Sequence, residues 1–201
     1  MKYQPCIIFV VLMCWTYCNG QYDLSRLPQH VKGWLNYTRE ILENTTPIVV
    51  KQGCYRMEHH PACERTQYIL GPWNPGYHHN LSYRTTEKVL EKKLGLWNLR
   101  DTFFFVSTLN MSPVVDIYAR FASNQTLDLQ VSGMFSLLWA NMHCFILGTP
   151  TKNQENASCT LWQSEQETRQ ECLQAFHANC CDYGQFYYTY NKTMCEMPSE
   201  C

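Results

Sequence analysis

The sequence predicts an all-β protein, an up-and-down barrel of about eight strands or a two-sheet sandwich, with a helix near each end. Three observations point there. From residue 47 to residue 162, short apolar or alternating runs are separated by turn residues such as Gly71, Pro72, Pro75 and Gly76. One run, residues 114–121, alternates cleanly: Val115, Ile117, Ala119 and Phe121 share one face, and Asp116, Tyr118 and Arg120 share the other. Late in the chain, Cys172, Phe176 and Cys180 recur every four residues, which puts two thiols and an aromatic ring on one helical face.

The 201 residues carry a formal charge of −1, so there is no basic field for nucleic acid and no polybasic patch for a membrane surface. Residues 1–20 read as a signal peptide: Lys2 is the charged start, an apolar run from Cys6 to Trp15 follows, and Cys18, Asn19 and Gly20 offer a cleavage site. That run is shorter than the ~20 residues a membrane span needs. Residues 21–201 are left as one domain. Cys6, Cys14 and Cys18 leave with the leader, and nine of the twelve cysteines remain. A secreted chain with that many thiols is disulfide-stapled, and the odd count leaves one free or joined to a partner. Apart from such a link, a monomer is expected. Sequons at Asn36, Asn44, Asn80, Asn124, Asn156 and Asn191 fit a secreted, extracellular glycoprotein. A seventh, at Asn110, is weakened by Pro113.

In chain order, Val31, Trp34, Leu35, Ile41 and Leu42 have helical spacing, and Pro47 ends that segment. Strands are expected over residues 48–57, 63–70 and 81–85. Residues 87–97 read as helix or strand, and their neighbours favour strand. Further strands are expected over 102–108, 114–121, 127–139, 143–147 and 158–162. Ser164 and Glu167 form a capping box that would start the late helix near Glu165. The aromatic run at residues 183–190 adds a possible last strand.

No catalytic signature is present: there is no G-x-S-x-G, no H-E-x-x-H and no Gly-rich phosphate loop. Catalysis, a cofactor and a metal are not expected. The pairs His59-His60 and His78-His79 read as exposed turn histidines rather than zinc ligands, since strand neighbours point to opposite faces. The informative residues are aromatic. Tyr118 shares a face with Asp116 and Arg120. Phe135, Leu137 and Trp139 share another, and Tyr83 lies on a third strand. A barrel of this size either fills with side chains or holds one small ligand.

The order Cys144-Phe145-Ile146, a polar gap, Leu161-Trp162, then Cys172-Leu173-x-x-Phe176 resembles the C-terminal part of tick salivary lipocalins, the histamine-binding protein family. Trp34, Cys63 and residues 86–89 match more loosely. The resemblance implies a lipocalin-like up-and-down eight-stranded barrel with a short N-terminal helix and a C-terminal helix packed on its wall. It implies bridges Cys144–Cys172 and Cys63–Cys195, and a pocket tryptophan at Trp162. The helical face then offers Cys180 to Cys159. Cys181, turned about 100° away, is left with Cys54 and Cys201, and one of these three stays unpaired.

The family's amine motif has an Asp after the first Cys and a Glu before Leu-Trp. Phe145 and Thr160 stand there instead. A buried ammonium needs a carboxylate or aromatic faces, so an amine would depend on Asp116, Asp128 or Glu87 facing inward. Arg120 and the tyrosines would instead suit an eicosanoid or fatty acid. The expectation is a secreted protein that sequesters a small host mediator, amine or lipid, and perturbs host defence. The rival is a surface-acting module such as a complement or protease inhibitor.

Overall fold

The computed structural model describes residues 24–73, 76–88 and 93–196. The leader expected at residues 1–20, as well as Cys201, lies outside the described residues. Strands β1 (Ile48–Tyr55), β2 (Pro61–Trp73), β3 (Gly76–Lys88), β4 (Lys93–Leu109), β5 (Ser112–Arg120), β6 (Gly133–Asn141), β7 (Cys144–Gly148), β8 (Ser158–Ser164) and β9 (Phe186–Thr189) form one sheet. Its order is β2-β3-β4-β5-β6-β7-β8-β1-β9. All pairings are antiparallel, and β1 also pairs with β2 through Ile48↔Thr66 and Val49↔Arg65. That contact closes an eight-stranded up-and-down barrel and leaves β9 outside it.

Closure is partial for a local reason. A bulge between Val50 and Gln52 breaks the register of β1. Past it, β1 takes β9 as its neighbour, from Gln52↔Thr189 to Tyr55↔Phe186. From Cys63 back towards Pro61, β2 therefore stands away from β1, and β9 lies between them.

Alternation puts Tyr77, Leu81 and Tyr83 of β3, Phe104 and Val106 of β4, Val115, Ile117 and Ala119 of β5, and Phe145 and Leu147 of β7 in one buried core with Trp162 of β8. Helix α1 (Gln29–Leu42) closes one end, adding Val31, Leu35, Ile41 and Leu42 to the same core. Each such side chain contributes about 1.5–3 kcal/mol when fully buried. The other end, where β1 finishes and β8 begins, is the mouth.

Helix α2 (Gln170–Cys180) lies on the outer wall. Cys172, Phe176 and Cys180 are buried there against Ile146 and Leu161, the outward residues of β7 and β8. Disulfides join Cys144 to Cys172, Cys159 to Cys180 and Cys63 to Cys195. The first two tie α2 to the barrel, and the third ties the tail to β2. Cys54 is a buried thiol and Cys181 an exposed one.

Four expectations are corrected. The late helix starts at Gln170, not near Glu165, and its N-cap Arg169 makes no side-chain capping bond. Ser164 is held in β8 opposite Ile48, and Glu167 accepts a hydrogen bond from Arg169 Nε at 2.9 Å, so neither is free to cap. Residues 127–132 form a bridge and turn before β6 rather than part of a strand. Residues 71–73 and 76 continue the β2–β3 ladder, although Gly and Pro there mark a break. His60 and His79 are buried, not exposed turn residues.

Candidate functional site

At the open end the barrel encloses a cavity of about 170 Å³, whose walls include Trp162, Phe135, Ile117, Tyr55, His60 and Glu64. Trp162 is the floor. Its ring stacks on Phe145 with centroids 6.0 Å apart and meets Phe104 edge-on at 6.2 Å. Its indole N–H donates to Thr160 Oγ1 at 2.9 Å. The two motif positions that lack carboxylates are therefore spent on holding the tryptophan: Phe145 stacks on it and Thr160 accepts its hydrogen bond.

The polar side of the cavity comes from β1 and β2. Tyr55 donates to Glu64 Oε1 at 3.2 Å. The same phenol ring stacks flat on His60, with centroids 4.1 Å apart. Glu64 is buried and has no cation against it among the described residues. Burial lifts its carboxyl from the usual 4.5 to about 7, with the Tyr55 hydrogen bond pulling the other way. At neutral pH the group is poised between acid and carboxylate. Burial likewise raises the Tyr55 phenol and lowers His60, so His60 stays neutral.

Asp128 is the other buried carboxylate facing inward among the described residues, and it is already partnered. Arg100 Nε lies 2.6 Å from Asp128 Oδ2, and the Tyr83 hydroxyl donates to the same oxygen. The Arg100 guanidinium sits 3.9 Å from the centre of the Phe121 ring. His79, buried beside Tyr68 and Phe104, is held neutral by burial at about 4.

The structure brings Trp162, Phe135, Tyr83 and Asp128 to the interior and leaves Asp116, Tyr118, Arg120 and Trp139 outside it, while the Glu87 side chain lies outside the described residues. Asp116, Tyr118 and Arg120 occupy the outer face of β5, because the apolar set Val115, Ile117 and Ala119 takes the core side. There Tyr118 meets Phe105 edge-on and Arg120 lies over Phe103. Trp139 is turned outward by a bulge between Leu137 and Trp139, and it packs beneath α2. Leu137 and Trp139 thus face opposite ways.

Glu64 was missed in the sequence. It follows Cys63, whose φ of +54° marks a bulge in β2. An extra residue there breaks the parity by which inward positions are counted. All seven sequon asparagines are exposed.

A family model described as tick histamine binding protein matches residues 78–197. The chain belongs to the tick histamine binding protein family. Among solved structures it is similar to Japanin from Rhipicephalus appendiculatus bound to cholesterol, at 16% identity over 71% of this chain and 91% of that one, TM-score 0.49. It is also similar to apocrustacyanin C2, at 8% identity over 82% of this chain and 87% of that one, TM-score 0.50. Lobster apocrustacyanin A1 matches at 9% identity over the same shares, TM-score 0.49. At these identities the likeness concerns the fold. No curated protein matches the chain. Family and fold together make this a lipocalin-type ligand-binding barrel.

Proposed function

We propose that this member of the family is a secreted protein that sequesters a small aromatic amine of the host, of the histamine or serotonin type, in the barrel mouth. The observation that carries the reading is Glu64, a buried carboxyl without a cation, set in the wall of a cavity that also holds Trp162, Phe135 and Tyr55. A buried carboxylate is costly without a partner, and an incoming ammonium supplies one. The aromatic walls add attraction for the cation. Glu64 thus takes the place of the two motif carboxylates replaced by Phe145 and Thr160.

Size favours the amine over a lipid mediator. About 170 Å³ is close to the ~150 Å³ that holds one benzene ring and below the ~300–1,000 Å³ of larger-ligand pockets. Charge favours it too. A fatty-acid carboxylate needs a free cation, but Arg100 is taken by Asp128 and Arg120 lies on the outer face. Three disulfides and exposed sequons support secretion. Removal of a host amine would perturb host defence without catalysis.

Calorimetric titration with histamine, serotonin and a leukotriene tests this. Binding of at least one amine and no binding of the leukotriene is expected. Leukotriene binding with neither amine bound would overturn the reading.

A further inference from the structure

Where β9 holds β2 away from β1, the surface encloses a second and larger space, of about 380 Å³. Its walls come from β2, the end of β3, the start of β4 and the tail, with the Cys63–Cys195 disulfide among them. Among the described residues no Asp, Glu, Lys or Arg lines it. Tyr187, Tyr188, Leu94 and Met194 give it an aromatic and apolar character.

Several of its polar groups are already used. The Tyr188 hydroxyl accepts from the Cys63 N–H at 2.9 Å, and the Tyr190 hydroxyl donates to Glu165 Oε1 at 2.6 Å. Thr86 Oγ1 is buried without a partner, Tyr187 and Thr189 are exposed, and His60 is the buried ring that still offers the pocket an acceptor. That ring belongs to the walls of both this pocket and the barrel cavity, stacked on Tyr55 on one side and edge-on to Tyr188 at 6.2 Å on the other. His60 Nδ1 lies 2.8 Å from the Pro61 carbonyl oxygen. A carbonyl only accepts, so Nδ1 carries the hydrogen and Nε2 of the neutral ring is left as an acceptor. Nε2 has no hydrogen-bond partner among the described residues, and it is not sealed off as the two ring nitrogens of His79 are.

We propose that the pocket between β9 and β2 is a second ligand site, taking a neutral, ring-bearing molecule that donates one hydrogen bond to His60 Nε2. The two sites divide by chemistry. The barrel mouth holds an unpaired carboxyl and selects a small cation. Among the described residues the lining of the outer pocket carries no charge for a cation or an anion, and the pocket has room for more than one ring and the His60 Nε2 acceptor in its buried wall. Desolvating an ammonium or a carboxylate there would find no counter-charge. A phenol or an alcohol on a rigid apolar frame loses little on transfer and satisfies His60. The proposal does not depend on the amine reading, because the walls other than His60 are separate.

Estradiol is a suitable probe, being neutral, multi-ring and phenolic, and its phenol methyl ether lacks the donor. Calorimetry on the full secreted chain should show estradiol binding that is unchanged by Glu64→Gln and by saturating serotonin. The methyl ether should bind about tenfold more weakly. His60→Phe keeps a flat ring against Tyr55 and removes the acceptor, and should weaken estradiol by a similar factor. Tyr187→Ala, an exposed substitution, should also weaken it. The ether comparison uses the unaltered protein and so stands even if His60→Phe fails to fold. No estradiol binding, equal binding of estradiol and its ether, or estradiol binding displaced by serotonin and lost in Glu64→Gln would each overturn the proposal.

Discussion

Among the described residues the barrel buries two inward carboxylates, and they are treated in opposite ways. Asp128 is locked between Arg100 and Tyr83, and its charge is neutralised inside the fold. Among the described residues Glu64 has only the Tyr55 hydroxyl as a hydrogen-bond partner, and burial raises its carboxyl to about 7. A buried ion pair with its hydrogen bonds made is a structural element. A buried carboxyl without a cation, at the edge of a cavity, is a position waiting for one. The same burial therefore gives architecture in one place and recognition in the other.

The comparison can be broken at its strongest point first. Arg100→Met should strand the Asp128 charge and cost about 3–5 kcal/mol of stability, read as a fall in the urea midpoint. A loss under 1 kcal/mol would mean that the pair does not hold the barrel. Glu64→Gln should do the reverse: stability is kept, but amine affinity falls by about tenfold to a hundredfold, the worth of a charge-assisted bond of ~1.5–3 kcal/mol. Equal loss of stability in both variants would erase the distinction.

A smaller effect concerns pH. The folded protein holds the Glu64 proton up to about 7, whereas the unfolded chain releases it near 4.5. The folded state therefore binds more protons between those values, and this group's stabilisation, complete below 4.5, is lost as pH rises to about 7. Glu64→Gln should flatten that part of the stability profile, as measured by urea melts at several pH values. The smallest effect is expected on the outer face of β5. Tyr118→Ala and Asp116→Asn should leave amine affinity unchanged, since both side chains point away from the cavity. A tenfold loss from either would put the ligand outside the barrel.

Much of the fold was legible because period-two alternation reports a buried face directly, as in Val115, Ile117 and Ala119. The helical spacing of Cys172, Phe176 and Cys180 marked the buried face of α2 in the same way. Alternation alone does not say whether the apolar or the polar face of a ligand-binding barrel points inward. That is why Asp116, Tyr118 and Arg120 read as pocket residues. Bulges defeated the rest. One turned Trp139 outward, and another, at Cys63, brought Glu64 in. Nothing local in Cys63-Glu64-Arg65-Thr66 separates a site carboxylate from a solvated one. The only hint was negative, namely that the motif's own carboxylates were missing.

The central claim is that Glu64 is the counter-charge for a cationic ligand, and proton release on binding tests it most directly. Serotonin titrated at pH 7 in buffers of different ionisation enthalpy should release protons, because pairing with an ammonium drives the Glu64 carboxyl, raised by burial, to its carboxylate. The release should vanish in Glu64→Gln, together with most of the affinity. Serotonin binding with no proton release, and with undiminished affinity in Glu64→Gln, would contradict the account.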